Sequence, residues 1–134
     1  KTFIILLASC DHFGCAVLSI LTSDLWLVTP FDPLVMQYSI WQKAFTHFQE
    51  DAAKENITVI INPTMALKWQ DSINNPWTTN CCGVLTALFI RYLCATKFSH
   101  YHMLVPPRPS QQTVEGAFEW LAENYLTPGL NFLS

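Results

Sequence analysis

The sequence predicts an α+β domain in which a small mixed sheet packs with helices, one of which is buried and begins at a cysteine. Its 134 residues match the length of a single domain. Apolar, β-prone runs fill the first third of the chain, and later segments repeat apolar residues at steps of three and four. Since 51% of the residues are hydrophobic and only 13% are charged, we expect exposed apolar surface for a partner, a peptide groove or a neighbouring subunit.

The first three strands are predicted from apolar runs near the N-terminus. Phe3 to Ala8 is a continuous β-prone run, and His12 to Ile20 is a second one. A turn at residues 21–24 leads into a third strand from Leu25 to Val28, which Thr29-Pro30 is expected to close.

A helix is predicted next, with Asp32 as its N-cap, Pro33 as its first residue and an end near Asn56. Its apolar face recurs at helical spacing and comprises Leu34, Tyr38, Trp41, Phe45, Phe48 and Ala52. The segment from Ile57 to Ile61 is the most β-prone of the chain and predicts a fourth strand. The stretch from Asn62 to Asn80 is predicted to be irregular.

Two further helices complete the predicted order β-β-β-α-β-α-α. The first runs from about Cys81 to Ala95. A loop from Lys97 to Pro109 follows, because its prolines exclude a regular helix. The last helix starts at Ser110 and ends before Pro128-Gly129.

The charge and the spacing of histidines and cysteines exclude several kinds of partner. A net charge of −3 with scattered Lys and Arg argues against nucleic acid. The four histidines and five cysteines show no zinc-site spacing, so no metal or other cofactor is expected. No apolar run is long enough to span a membrane, and the cysteine pattern favours a reducing, intracellular compartment.

The N-terminus allows two interpretations. The chain begins with Lys1 rather than Met, and we expect a fragment or a processed product. The run before Cys10 is similar to a lipoprotein signal peptide, which would make the chain a small lipid-anchored domain. A buried β-strand is the favoured interpretation.

The pair Cys82-Gly83 is the strongest chemical signal. It lies where a polar stretch meets the apolar helical run that starts at Val84. A cysteine in the first turn of a helix faces unpaired backbone N–H groups and the positive end of the helix dipole, and both favour the thiolate. Cys82 is therefore a candidate nucleophile.

A thiol nucleophile needs a nearby base, which is usually histidine. His12 opens a predicted strand, where its side chain can project from a sheet edge into a cleft. His47 lies on a predicted helix among acidic residues, while His100 and His102 lie in a predicted loop. His12 is thus the best candidate for the base.

A histidine that opens a strand, followed later in the chain by Cys-Gly at the start of a helix, resembles the adenovirus-type endopeptidases (adenains). These are cysteine proteases of the clan that also holds the ubiquitin-like-protein proteases. The likeness is carried by His12-Phe13, by Val28-Thr29-Pro30-Phe31, by Asn74-Asn75-Pro76 through Asn80-Cys81-Cys82-Gly83-Val84, and by Met103-Leu104-Val105-Pro106 with Glu119-Trp120-Leu121. It spans about His12 to Tyr125. The family has a longer leader before its histidine, so an N-terminal leader missing from 1–134 is an open alternative.

The resemblance implies Cys82 as nucleophile, His12 as base and Asn75 as the oxyanion amide, where the family has Gln. Thr29 stands where the family has the acidic third member of the triad. Asp32, three positions later, is an alternative acid, although its place before Pro33 favours a helix cap.

The predicted function is that of a viral or virus-like cysteine endopeptidase that cuts precursor proteins during virion maturation, in the host cytoplasm, the nucleus or the virion. One alternative is a protease that removes a ubiquitin-like modifier. Another is a binding module with a lapsed site, which Thr29 supports. The family's activating peptide forms a disulfide that has no counterpart near Pro63, yet a peptide or partner could add as a strand at a sheet edge.

Overall fold

Five strands form one mixed sheet in a computed structural model that describes residues 1–9, 12–34, 41–70, 82–96 and 108–126. Chain order gives β1 Thr2–Ser9, β2 His12–Thr22, β3 Leu25–Leu34, α1 Gln42–Lys54, β4 Thr58–Ile61, β5 Met65–Gln70, α2 Cys82–Ala95 and α3 Gln111–Leu121, which a π-helical turn at Ala122–Leu126 continues. The α+β class with a mixed sheet is confirmed.

Strand β3 lies at the centre of the sheet. It pairs antiparallel with β2, which in turn pairs antiparallel with β1. On its other side, the first half of β3 pairs in parallel with β4 and the second half with β5. The sheet therefore places the start of β2 and the ends of β3 and β5 at one end.

The alternation of side chains along the strands produces two apolar clusters, one on each face of the sheet. Cys15, Val17 and Phe31 pack with residues of α2 and α3. Ala16 and Val28 pack instead with residues of α1 and β4. Helix α2 thus covers one face and α1 covers the other.

The predicted N-cap at Asp32 is wrong. Strand β3 continues through Thr29-Pro30 to Leu34, and α1 begins only at Gln42. The Asp32 carboxylate binds side chains next to the sheet instead of the free N–H groups of a helix end. Local preference for a cap is overridden because these tertiary partners satisfy the carboxylate in a buried place.

Strand β5 was not predicted, since 62–80 was expected to be irregular. Within it, Leu67 and Trp69 are buried on the α2 face. The sequence from Met65 to Gln70 alternates apolar and polar residues in its second half, which is the signal of a half-buried strand. The Asn- and Pro-rich surroundings obscured that signal.

The remaining elements agree with their predictions to within a few residues. Helix α2 begins at Cys82 and ends at Ala95. In α3, the Ser110 hydroxyl accepts a hydrogen bond from the backbone N–H of Thr113, which is the geometry of an N-cap. The expected loop from Lys97 to Pro107 and the expected helix end at Pro128-Gly129 lie outside the described residues.

Candidate active site

A buried histidine–carboxylate pair lies at the end of the sheet where β2 begins. His12 is the first residue of β2, and its Nε2 lies 2.8 Å from both carboxylate oxygens of Asp32 on β3. The side chain of Asp32 is fully buried, and that of His12 is 12% exposed. A carboxylate out of water is costly unless it is hydrogen-bonded, so this contact matters to the fold as well as to any chemistry.

The register of β2 and β3 explains how the two side chains meet. Ala16 lies opposite Pro30. His12 and Asp32 are each an even number of residues from these positions, so both side chains project from the same face of the sheet. This is the face that α1 covers.

Trp41, just before α1, contacts both members of the pair. Its indole N–H donates to Asp32 Oδ2 at 3.0 Å. Its ring stacks on the His12 ring, with centroids 6.0 Å apart and an interplanar angle of 24°. Because Trp41 is buried, it limits both the direction of the carboxylate and the tilt of the imidazole.

Gly14 allows β2 and β3 to approach closely beside this indole ring. A Cβ at Gly14 would lie 2.9 Å from the Phe31 carbonyl oxygen, which is too close, whereas its distance of 3.5 Å from the Trp41 ring is ordinary contact. Any other residue would therefore force the backbone to move. The glycine affects the site through β3, because Asp32 directly follows Phe31 on that strand.

The hydrogen bond to Asp32 selects one tautomer of neutral His12. With Nε2–H donating to the carboxylate, the lone pair is on Nδ1. Nδ1 is then the nitrogen that can accept a proton from a nucleophile. The carboxylate stabilises the imidazolium that results.

Cys82 is the first residue of α2, and α2 begins beside the start of β2. A Cβ at Gly83 would lie 3.4 Å from the Phe13 ring, and the Thr86 hydroxyl donates to the Phe13 carbonyl at 3.3 Å. Phe13 directly follows His12. The N-terminus of α2 therefore reaches the end of the sheet that holds the His12–Asp32 pair.

The predicted site residues divide into three groups. His12, Asp32 and Cys82 lie at this end of the sheet. Thr29, expected at the acidic position, instead accepts a hydrogen bond from the Asn62 side-chain amide at 2.8 Å. Asn75, the expected oxyanion amide, lies outside the described residues, as do Cys10, Cys81, His100 and His102.

Trp41 was not among the predicted site residues. It was assigned only to the apolar face of a helix, although a buried indole N–H generally requires a hydrogen-bond acceptor.

The other described cysteines differ from Cys82 in their surroundings. Burial, and then the negative charge of Asp32, raises the pKa of the Cys15 thiol to about 12. Cys15 therefore remains a thiol at physiological pH and is a poor nucleophile. Cys94 is exposed near the end of α2, far along the helix from its N-terminus.

The described residues form neither a metal-ligand cluster nor a membrane-spanning helix. Within the described ranges, no three His, Cys, Asp or Glu residues are grouped as metal ligands would be. No helix in these ranges has the length and hydropathy needed to cross a bilayer. Comparison with protein-family models gives no match, and neither does comparison with curated proteins.

Proposed function

We propose that this chain is a cysteine peptidase in which Cys82 is the nucleophile, His12 the base and Asp32 the group that orients His12. The observation that carries the proposal is the buried Asp32–His12 pair at the end of the sheet where the Cys82 helix begins. Thiol acyl transfer requires a histidine that is oriented by a carboxylate and a thiol that this histidine can reach, and in this proposal Cys82 at the N-terminus of α2 supplies the thiol.

The proposed reaction has two halves. His12 Nδ1 takes the proton of Cys82 Sγ, and the thiolate attacks the scissile carbonyl carbon. When the tetrahedral intermediate collapses, the C–N bond breaks and the His12 imidazolium gives its proton to the leaving amine. Water, deprotonated by His12, then attacks the thioester and releases the acid and the thiol.

Asp32 and Trp41 act through His12. The carboxylate holds Nε2–H and stabilises the imidazolium that forms in each half-reaction. The indole N–H holds the carboxylate, and the indole ring restricts the imidazole. Together they fix the direction of Nδ1, which lowers the entropic cost of proton transfer.

The oxyanion requires hydrogen-bond donors at the helix N-terminus. The backbone N–H of Cys82 is one, as it belongs to the first turn of α2. A side-chain amide is the second, and the resemblance to the adenains assigns this role to Asn75.

The resemblance to the adenains supports the endopeptidase class and a role in cutting viral or virus-like precursor proteins inside the cell or virion. In this proposal Asp32 takes the place of the family's acid in the triad, since Thr29 bonds Asn62. Removal of a ubiquitin-like modifier is a variant of the same chemistry. An activating peptide or partner remains compatible with it.

A binding module with the same fold is the second candidate. The observation in its favour is the burial of Cys82, which is only 5% exposed. A substrate must reach Sγ, so a thiol that stays covered would bind a peptide near the site without cutting it.

Alkylation of individual cysteines, followed by mass spectrometry at mildly acidic pH, separates the two candidates. We expect Cys82 to react with iodoacetamide faster than the exposed Cys94, and His12→Ala to slow Cys82 by at least about tenfold. His47→Ala is the matched control, because His47 is exposed on α1. The binding module would be favoured if Cys82 were alkylated more slowly than Cys94 and His12→Ala did not change the Cys82 rate.

A further inference from the structure

We propose that the outer edge of β1 pairs antiparallel with β1 of a second copy of this chain, which joins two five-stranded sheets across a two-fold axis. The proposal rests on the sheet edge and is independent of the catalytic proposal. Three observations carry it: the direction of the backbone groups of β1, the contrast with the opposite edge of the sheet, and the residue pattern of the strand.

The outward-facing backbone groups follow from the hydrogen-bond ladder. The Ile20 N–H donates to the Lys1 carbonyl at 2.9 Å, so Lys1 and Ile20 form a hydrogen-bonded pair. Such pairs alternate with non-hydrogen-bonded pairs along an antiparallel ladder. The N–H and C=O groups that point away from β2 therefore belong to Thr2, Ile4, Leu6 and Ala8.

The edge strands β4 and β1 differ in the contacts of their outward-facing backbone groups. At β4, the Gln49 side-chain amide of α1 donates to the Val59 carbonyl at 2.9 Å, so one outward carbonyl of that edge is already hydrogen-bonded. Strand β1 pairs only with β2 among the described strands. It also contains no charged residue and no proline from Thr2 to Ser9, the usual means of preventing edge pairing.

The side chains of β1 show the same lack of cover. Leu6 is 60% exposed and Phe3 is 42% exposed, the first on the α2 side of the sheet and the second on the α1 side. A strand that joins this edge would cover both side chains. Exposed apolar groups on both sides of a free edge are a recognised signal of strand pairing.

A second copy fits this edge because the strand is nearly symmetric about Ile5. In a two-fold pairing centred there, Thr2 faces Ala8 of the other copy and Ile4 faces Leu6. All outward backbone groups of the four residues are then paired, and no charges of like sign meet within the strand pair. Small residues lie at both ends and large ones in the middle.

The expected dimer is weak. Eight residues at ~3.3 Å each span roughly 26 Å. The area covered by one strand pair falls short of the ~1,000 Å² that stable interfaces bury. The net charge of −3 on each copy also repels at long range, so added salt is expected to strengthen the dimer.

Sedimentation velocity over a range of concentrations tests the association. We expect a reversible monomer–dimer equilibrium, and we expect Leu6→Lys to weaken it by at least about tenfold, since it removes apolar burial at the centre of the edge. Ile60→Lys is the matched control, because Ile60 is 46% exposed on the opposite edge strand. A wild-type chain that stays monomeric at every concentration, or equal weakening by both variants, would overturn the proposal.

Disulfide cross-linking tests the register. Ile5 faces its own equivalent as a non-hydrogen-bonded pair, where Cα atoms are about 4.5 Å apart and a disulfide fits. Ile5→Cys should therefore give a covalent dimer on oxidation, above the level that the native cysteines give in the wild type. Phe3→Cys is the control, as its two copies lie four residues out of register. Equal cross-linking by both variants would contradict the register.

Discussion

At the scale of the residue, Asp32 has the most informative position. Two residues were candidates for the third member of the triad. Thr29 stands at the position where the adenains have an acid, and Asp32 is the nearest carboxylate. The local sequence favoured Asp32 as a helix N-cap instead. In the structure, Asp32 is buried against His12 while Thr29 bonds Asn62. The sequence alone could not decide this, because the choice depends on the length of β3 and on Trp41, which lies nine residues later.

The Asp32 carboxylate is expected to matter more than the Thr29 hydroxyl. Asp32→Asn keeps the shape but removes the charge that stabilises imidazolium, so Cys82 alkylation at mildly acidic pH should fall by about tenfold or more. Thr29→Val is the matched control and should leave the rate within about twofold, since the Thr29 hydroxyl accepts a hydrogen bond from Asn62. If both variants lowered the Cys82 alkylation rate equally, Asp32 could not be called the third member of the triad.

Cys15 is expected to make stability depend on alkaline pH. Burial raises the pKa of its thiol from the ordinary value of 9.0 to about 12 in the folded chain. The raised pKa contributes stability that is fully present below pH 9 and is lost as pH rises toward 12, because the unfolded thiol ionises first. The free energy of unfolding should fall by at most about 1.4 kcal/mol per pH unit in that window.

Urea unfolding at several pH values measures this effect. Cys15→Ala should flatten the dependence of the free energy of unfolding on pH between pH 9 and pH 11. The variant should also be less stable at every pH, because removal of the buried sulfur leaves a cavity. Cys94→Ala, at an exposed position, should leave the slope of the wild type unchanged. An unchanged slope in Cys15→Ala would show that other groups cause the alkaline loss.

At the scale of the element, the sequence predicted each strand or helix whose periodicity was strong. Strand β1, β4 and helices α2 and α3 follow from apolar runs and from the Ser110 cap. The start of α1 was misplaced because Asp32-Pro33 imitates a helix start, and β5 was missed because it is short and lies among Asn and Pro. In both places a tertiary contact overrides the local signal.

The close approach of the Phe31 backbone carbonyl to β2 gives a prediction for Gly14. Gly14→Ala should destabilise the fold by about 1–3 kcal/mol, because its Cβ would lie 2.9 Å from that carbonyl oxygen. Gly116→Ala is the matched control: among the described residues, no atom beyond the backbone of its own helix lies within 4 Å of its Cβ position, so it should stabilise by about 0.5–1 kcal/mol. Chemical denaturation measures both effects, and a neutral Gly14→Ala would show that β2 and β3 can shift apart at little cost.

At the scale of the whole molecule, the high hydrophobic content is divided between the two faces of the sheet and its exposed side chains, among them those of the edge strand β1. Apolar clusters fill both faces of the sheet, which uses much of the hydrophobic content. The rest includes the exposed side chains of β1, in keeping with the expectation that some apolar surface is exposed. Composition alone could predict that such surface exists but could not place it, since its location depends on the strand order.

The placement of the candidate site follows from the same architecture. Trp41 contacts His12 and Asp32 on one face of the sheet, while α2, which begins at Cys82, packs on the other face. The N-terminus of α2 contacts Phe13, the residue after His12, at the end of the sheet where β2 begins. A long-range arrangement of this kind is set by topology, so the sequence could name His12 and Cys82 only by residue type and order.

The most direct measurement is a double-mutant cycle of Cys82 alkylation rates in the wild type, His12→Ala, Asp32→Asn and the double variant. If Asp32 acts through His12 on the thiol, each single variant slows Cys82, and Asp32→Asn has no further effect once His12 is removed. Rates that multiply independently, or a Cys82 rate that neither variant changes, would contradict a Cys82–His12–Asp32 triad.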